Sequence, residues 1–402
     1  LIVGRVLGSN ALAAVGSAYT LMTFLTSIFL GLSMGSGALF SIYKGKNDQD
    51  SLRSAIVHAF ALIMAVTVLL NVLVYIGIDP ILHFLRVPDE VWDGMKAYLL
   101  VIFAGIIATS LYNYFSCLLR ALGNSTIPLV FLAVSAVLNI GLDLLFVAVL
   151  PWGIRGAALA TVIAQYVSGI GITLYVLLKC RDLLPSGKDL HFNRQILDEI
   201  GNLSSITCIQ QSVMNFGILM VQGLVNSFGP VIMAAFAAAV KIDTFAYLPV
   251  QDFGNAYSTF IAQNYGAGKK ERIRKGTKES FLISFLFCIV ISAVVCIFAA
   301  PLMRIFVSAK ETAVIASGVR YLRIEGAFYC GIGCLFLLYG YYRAVKKPGM
   351  SVILTVISLG TRVALAYILS AYIGETGIWM AIPIGWVFAD ITGLAYMKFQ
   401  EK

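Results

Sequence analysis

The sequence predicts an all-α polytopic membrane protein made of two parallel six-helix repeats, with eleven spans present in this chain. Hydrophobic residues make up 59% of the chain and charged residues only 12%, about half the charged share of a soluble domain. The charges lie in short segments between apolar runs, which reach the roughly 20 residues that a membrane-spanning helix needs. Because backbone groups inside lipid must be hydrogen-bonded within their own segment, these runs are predicted to be helices.

Eleven apolar runs are predicted to cross the membrane. A transmembrane β-barrel would instead show short segments of alternating polarity, and the sequence shows none. Several runs exceed 20 residues, a length that tilting within the bilayer can accommodate. The predicted spans are residues 11–42, 54–78, 95–118, 126–150, 155–179, 197–226, 230–262, 280–300, 316–341, 350–372 and 377–397.

Positive charge alternates between the connections that join successive spans. Nineteen Lys and Arg residues lie in one set of connections and eight in the other, while Lys241 and Arg362 lie within spans. The positive-inside rule places the richer set, with the C-terminus, in the cytoplasm of a multi-pass plasma-membrane protein. This topology explains the net charge of +9. The basic run at 269–278 is therefore interpreted as an anchor at anionic headgroups and not as a nucleic-acid surface.

An internal repeat becomes visible when the sequence is slid along itself by 221 residues. Gly8 then meets Gly229, and Gly153 meets Gly374. The repeat predicts an N-terminal lobe at 1–178, a cytoplasmic linker at 179–195 and a C-terminal lobe at 196–402. Six spans per repeat is an even number, so the lobes are expected to be parallel, related by an axis along the membrane normal. A whole span precedes Gly229 but only seven residues precede Gly8, so the first lobe is expected to lack its first helix.

Two glycine-rich segments carry a resemblance to a known family. The first begins at Gly4 and reads GRVLGSNALAAVGSAYTLMTFLTSIFLGLSMGSGALFSIYKGK; the second begins at Ala234 and reads AAFAAAVKIDTFAYLPVQDFGNAYSTFIAQNYGAGKKERI. They resemble the second and eighth helices of the multidrug and toxin extrusion (MATE) family of cation-coupled antiporters. The resemblance implies a V-shaped, two-lobe transporter with a central cavity that exports its substrates by alternating access.

Asp143 is the strongest candidate for a chemical role in the first lobe. An acid at the centre of a spanning helix costs about 2.5–3.5 kcal/mol, so it is a functional candidate. Asn139 lies four residues earlier on the same helix face. Asp143 lies eight residues before Pro151, the outer end of its span, and Thr161 lies eight residues after Gly153 on the next, antiparallel span. Both are therefore about 12 Å below the outer boundary. Such groups suit a protonatable acid or oxygen ligation of a hard cation such as Na+.

The spacing of Asn139, Asp143 and Thr161 resembles the N-lobe cation site of one prokaryotic branch of the family. The resemblance implies a further Asp on the first helix, which cannot be matched in this chain, so the site as given is incomplete. We expect that helix, with its acidic residue, to be encoded upstream. A second interpretation is that Asp143 pairs with Arg155 near the outer surface, while Thr161 bonds only to its own helix.

The second lobe contains a possible polar site within its spans, formed by Gln211, Lys241, Asp243, Glu325 and Arg362. Lys241 and Asp243 are two residues apart, so they should face different directions. Glu325 and Arg362 lie on neighbouring spans and are interpreted mainly as structural ion pairs, with a substrate or proton site as the alternative. Asp390 lies near the cytoplasmic end of its span and is expected to be solvated.

No pattern in the sequence indicates catalysis. The three histidines lack metal-ligand spacing, and there is neither a P-loop nor a dinucleotide fingerprint. We therefore expect a transporter, not an enzyme, with no cofactor and no resident metal. An H+ or Na+ gradient is expected to drive export of small organic, drug-like and mainly cationic solutes. The protein is expected to be a monomer in the lipid bilayer, without a nucleic-acid partner.

Two other functions fit the composition: a lipid-linked oligosaccharide flippase of the same superfamily, and a non-transporting membrane scaffold. A flippase would need a strongly cationic cavity for pyrophosphate, and only Lys241 and Arg362 lie within spans. A scaffold would have no need of Asp143 deep in its span.

Reporter fusions test the predicted orientation. Green fluorescent protein fused after Lys402 should fluoresce, and alkaline phosphatase at the same place should be inactive, because the positive-inside rule places the C-terminus in the cytoplasm. Fusions in the connection at Gly229 should give the opposite pattern. Active phosphatase at the C-terminus would contradict the orientation.

Overall fold

Helices account for nearly all of the described chain in this computed structural model, which covers residues 9–84, 89–183 and 192–400. No strand occurs within these ranges. Ten helices there are long and apolar enough to span a membrane, and a bent pair, Thr312–Gly326 with Tyr329–Ala344, provides an eleventh span. The predicted all-helical, polytopic fold is confirmed.

The described residues form fifteen α-helices and three short irregular turns. The turns are two 3-10 segments, Phe103–Gly105 and Arg181–Leu183, and one π-helical segment, Leu144–Val149. The α-helices are α1 (Ser9–Lys46), α2 (Gln49–Ile76), α3 (Ile78–Phe84), α4 (Asp89–Ile102), α5 (Ile106–Ala121), α6 (Thr126–Asp143), α7 (Gly153–Lys179), α8 (Arg194–Asn226), α9 (Pro230–Gly266), α10 (Lys270–Ile297), α11 (Ala299–Phe306), α12 (Thr312–Gly326), α13 (Tyr329–Ala344), α14 (Pro348–Ile373) and α15 (Glu375–Gln400).

The internal repeat is visible in the order of the helices. Helices α1 to α7 correspond to α9 to α15, including the short α3 and α11 that follow a long helix in each half. Residues in the left-handed backbone conformation also recur at equivalent positions of the two halves. Asn47 and Gly268 are 221 positions apart, as are Gly153 and Gly374, and all four have φ between 57° and 68°. Gly and Asn tolerate this conformation best, so residues of the same conformation lie at matching helix boundaries of the two halves.

Two compact units divide the chain, and the division falls within α8. The first unit extends to Cys208, and the second begins at Ile209 and also includes Gly45–Asn47. The predicted linker at 179–195 rests on the sequence repeat and stays a prediction. Its residues 184–191 lie outside the described residues.

Each unit has its own apolar interior. In the first unit, Phe40 and Phe103 are fully buried in two separate clusters. In the second unit, Phe236 stacks on Trp379 with ring centroids 5.4 Å apart, and Tyr321 meets the Trp379 ring edge-on at 5.0 Å. This aromatic contact joins α9, α12 and α15. Helix association inside a membrane depends on such packing because lipid tails are as apolar as the side chains.

Small residues allow α1 and α8 to pack with their backbones in contact. Gly31 and Gly35 form a GxxxG pattern on α1. A Cβ added to Gly31 would lie 2.5 Å from the Cα of Cys208, and one added to Gly35 would lie 2.5 Å from the Cα of Ser204. Ser36 Oγ is 2.9 Å from Ser204 Oγ at the same crossing. Close contact of this kind is a common basis of helix association in membranes.

Replacing Gly35 by Ala is expected to destabilise the protein, because the added methyl group would collide with the backbone at Ser204. Overpacking costs about 1–3 kcal/mol, so the thermal unfolding midpoint in detergent should fall. Gly201→Ala on α8 is the matched control, since a Cβ there meets no atom within 4 Å and Ala favours a helix by about 1 kcal/mol. Equal midpoints for the two variants would contradict the close packing.

Candidate functional site

Helices α6 and α7 bring three of the predicted polar residues to one region of the first unit. Asn139 Nδ2 donates to Thr161 Oγ1 at 3.3 Å, and Thr161 Oγ1 donates to the Ala157 carbonyl oxygen at 3.1 Å. Asp143 lies one turn beyond Asn139 on the same face of α6. The amide and the hydroxyl are therefore in direct contact, with the carboxylate one helical turn away.

Asp143 is half-buried and directly precedes the π-helical segment Leu144–Val149. Its Oδ1 is enclosed and accepts no hydrogen bond from any residue that the structure describes. None of the ion pairs among the residues that the structure describes includes Asp143, so the alternative pair with Arg155 is not formed. The π-helical segment forms the last turn of this span, before the connection at 150–152, and π-helical geometry is frequent at functional sites.

Tyr98 joins this group, although nothing in the sequence pointed to it. The residue lies on α4 and is 9% exposed. Its hydroxyl interacts with the Thr161 side chain and with the charge of Asp143. A tyrosine within an apolar run gives no sign of its partners, and only the packing of α4 against α7 reveals them.

Together these side chains offer a carboxylate, an amide and two hydroxyl groups. Oxygen atoms are the ligands that hard cations prefer, and a carboxylate can equally hold a proton. The group carries a single carboxylate, and its other members are neutral, so it can offer one negative charge to an ion.

A second buried group, in the second unit, joins Asp243, Glu325 and Arg362. Asp243 is 6% exposed and Glu325 is 3% exposed. Tyr329 donates its hydroxyl to Asp243 Oδ1. Glu325 lies close enough to Asp243, Tyr321 and the Arg362 guanidinium to interact with them electrostatically. Among the described residues, no ion pair within 4.0 Å joins Arg362 to either acid. Three of the five polar residues predicted for this lobe thus meet.

Two carboxyl groups and one guanidinium share this interior. Asp243 and Glu325 face each other in this interior, and two neighbouring carboxyl groups resist ionising together. Arg362 lies near both acids without a direct ion pair to either among the described residues. The structural ion-pair interpretation and the proton-site alternative both stay predictions.

The carboxyl group of Glu325 lies at a break between two helices of the second unit. Glu325 is in the last turn of α12 and Tyr329 begins α13, and the two helices are bent by 52°. The first unit has the 3-10 segment Phe103–Gly105 at the corresponding place. Tyr98 and Tyr321 each lie eight residues before the helix that follows the break. Both units therefore present a tyrosine to their acids from the same position of the repeat.

Lys241, Gln211 and Asp390 lie outside this second group. Lys241 is exposed on α9, whereas Gln211 is buried on α8. Asp390 was expected to be solvated, and this expectation is wrong. It is 9% exposed and lies beside the Cys334 thiol. Helix α15 continues ten residues beyond it, to Gln400, and this extension keeps the carboxyl group inside the bundle.

These features define a class of protein: a polytopic helical transporter with ionisable groups inside each of two repeated bundles. The MatE family model matches residues 1–145 and 206–368, which is more than half of the chain. The chain belongs to the MATE family of multidrug transporters.

Curated relatives match along nearly the whole chain. The probable multidrug resistance protein YpnP of Bacillus subtilis is 28% identical over 99% of this chain and 88% of its own length. The probable multidrug resistance protein NorM of Thermotoga maritima is 25% identical over 96% of this chain and 84% of its own length. An FAD transporter of Shewanella oneidensis is 23% identical over 94% of this chain and 84% of its own length.

Solved structures share the fold. A MOP superfamily transporter from Pyrococcus furiosus, described as having a binding pocket of reverse polarity, superposes with a TM-score of 0.93 at 23% identity. An outward-facing multidrug resistance MATE family transporter gives a TM-score of 0.93 at 22% identity. Each comparison covers 99% of this chain and 89% of the other.

Removing Arg362 is expected to destabilise the protein strongly, because Glu325 and Asp243 would be left buried without a cation. Breaking a directly bonded buried pair from one side costs about 3–5 kcal/mol, which sets the upper limit for Arg362 because it lies near the two acids without bonding to them. The unfolding midpoint of Arg362→Gln should fall well below that of Arg320→Gln. Arg320 forms an exposed pair with Glu375 at 3.1 Å, and such pairs contribute about 0–1 kcal/mol.

Adding Glu325→Gln to Arg362→Gln removes one buried acid together with its cation, so it should recover part of the lost stability. If Arg362→Gln unfolded at the wild-type midpoint, the guanidinium would not be balancing the two acids.

Proposed function

We propose that this protein is a secondary active antiporter that exports organic solutes from the cytoplasm in exchange for H+ or Na+. One observation carries the proposal: Asp143 lies within a span, among neutral oxygen-bearing side chains, with no cationic partner in the described structure. A carboxylate in that setting is costly unless it is protonated or cation-bound. Its occupancy is therefore tied to the ions available on either side of the membrane.

Ion occupancy of Asp143 supplies a means of coupling. A bound proton or Na+ cancels the charge, so Tyr98, Thr161 and Asn139 face a neutral group instead of an anion. The two states favour different hydrogen bonds among side chains on α4, α6 and α7. An ion that binds one arrangement better shifts the population toward it, which is what alternating access requires. The π-helical segment after Asp143 gives α6 a place to change register.

The substrates are proposed to be small, drug-like organic molecules, with organic cations as the leading class. The support is the family and the relatives named as multidrug resistance proteins. We further propose that the protein works as a monomer in the plasma membrane, with its C-terminus in the cytoplasm, where the positive-inside rule places it.

Asp143→Asn is expected to abolish ion-driven export, because it preserves the shape of the side chain and removes its ionisation. Proteoliposomes preloaded with ethidium would be placed in medium that is acidic or rich in Na+, so that the ion gradient points inward. Wild-type protein should expel the dye under at least one gradient, and Asp143→Asn should stay at the level of protein-free liposomes. The gradient that works identifies the coupling ion.

Asp182→Asn is the matched control, since Asp182 is exposed near the end of α7 and should leave efflux unchanged. Wild-type efflux by Asp143→Asn protein would refute its assignment and would make Asp243 and Glu325 the next candidates.

A further inference from the structure

One face of α9 is exposed and carries charge. Lys241, Phe245, Leu248, Asp252 and Ala256 follow one another at spacings of four, three, four and four residues, which places them in one row along the helix. All five are exposed, and Phe245 is 76% exposed.

The opposite face of α9 is packed inside the second unit. Ile242, Ala246 and Val250 are each no more than 6% exposed, and Asp243 points into the buried group described above. The carboxylate of Asp243 therefore lies on the far side of the helix from Lys241, and it accepts a hydrogen bond from Tyr329 instead.

Lys241 lies deep within its span. The eleven residues 230–240 before it contain no charged or strongly polar side chain, and they extend about 16 Å along the helix. This is about half of a hydrocarbon core that is about 30 Å thick, too far for the ammonium group to reach a headgroup. On the other side, residues 244–250 are also uncharged.

The exposed face of α10, a neighbouring helix of the same unit, differs in composition from the exposed row of α9. On α10 the exposed residues of 280–297 are apolar, including Leu282, Leu286 and Val290, and no charge occurs in that stretch. The α9 row instead contains two charged residues, Lys241 and Asp252. A lysine facing lipid at that depth would cost about 2.5–3.5 kcal/mol. The row therefore faces water, as intramembrane charges of transporters do when they line a pathway.

We propose that Lys241 and Phe245 bind the anionic group and the aromatic ring of transported solutes, which makes aromatic zwitterions and anions substrates alongside cations. Lys241 offers three ammonium donors, and no ion pair of the described residues occupies it. Phe245 lies one turn away on the same row, so a planar aromatic group can pack on its ring while a carboxylate or phosphate meets the ammonium. The inference rests on the proposed export function and refines its substrate class.

Rhodamine B and its ethyl ester test the inference, because they share one aromatic system and differ in a free carboxylate. Binding to purified protein would be measured by fluorescence anisotropy. Wild-type protein should bind rhodamine B more tightly than the ester. Lys241→Gln should weaken the binding of rhodamine B by about tenfold or more, as expected for a lost hydrogen bond to a charged group. The affinity for the ester should stay nearly unchanged. Lys241→Arg should still bind rhodamine B more tightly than the ester. Phe245→Ala should weaken the binding of both dyes.

Equal binding of the two dyes by wild-type protein, or an equal effect of Lys241→Gln on both, would overturn the inference. So would failure of a membrane-impermeant thiol reagent to label Lys241→Cys above the wild-type background, since the row would then be covered. Ion-driven efflux of the same dyes from proteoliposomes is measured separately. Carboxylate-selective binding without such efflux would refute the proposed export function and leave the role of Lys241 in recognition standing.

Discussion

Water is absent from the hydrocarbon core of a bilayer, and every polar group of a spanning segment must therefore find its partner within the protein. The backbone meets this requirement by forming helices, which accounts for the long helices of both halves. Side chains cannot meet it locally. A carboxylate, guanidinium or ammonium within a span must be paired, neutralised or placed beside water. This requirement determines where the charged side chains lie within the helix bundles.

The chain handles its intramembrane charges in three ways. Asp243, Glu325 and Arg362 place opposite charges near one another in the second unit, where Tyr329 donates its hydroxyl to Asp243. Asp143 in the first unit has neutral Asn139, Thr161 and Tyr98 beside it and no ion-pair partner among the described residues, and this setting underlies its proposed role in ion coupling. Lys241 lies on an exposed row. A balanced network suits a permanent structural role, whereas an unbalanced charge suits exchange with ions or substrate.

Irregular backbone accompanies these polar groups. The bend between α12 and α13 adjoins Glu325, the π-helical segment adjoins Asp143, and the 3-10 segment at 103–105 follows Tyr98 on α4. The repeat explains part of this pattern, because the 3-10 segment and the bend occupy equivalent positions. Tyr98 and Tyr321 are also equivalent, yet the acids they face come from different helices. The two units thus share a framework and differ in the charges placed on it.

The sequence by itself determined the helical class, the spans, the repeat and the depth of each acid, because all of these follow from composition and from the fixed rise of a helix. It also placed Asn139, Asp143 and Thr161 at one level. Only the tertiary structure decided which groups meet. The helix period gives the face of a residue but not the neighbour that covers that face, so Tyr98 gave no signal, Asp390 was wrongly expected to be solvated, and the meeting of Asp243 with Glu325 became visible only once α9, α12 and α14 were packed.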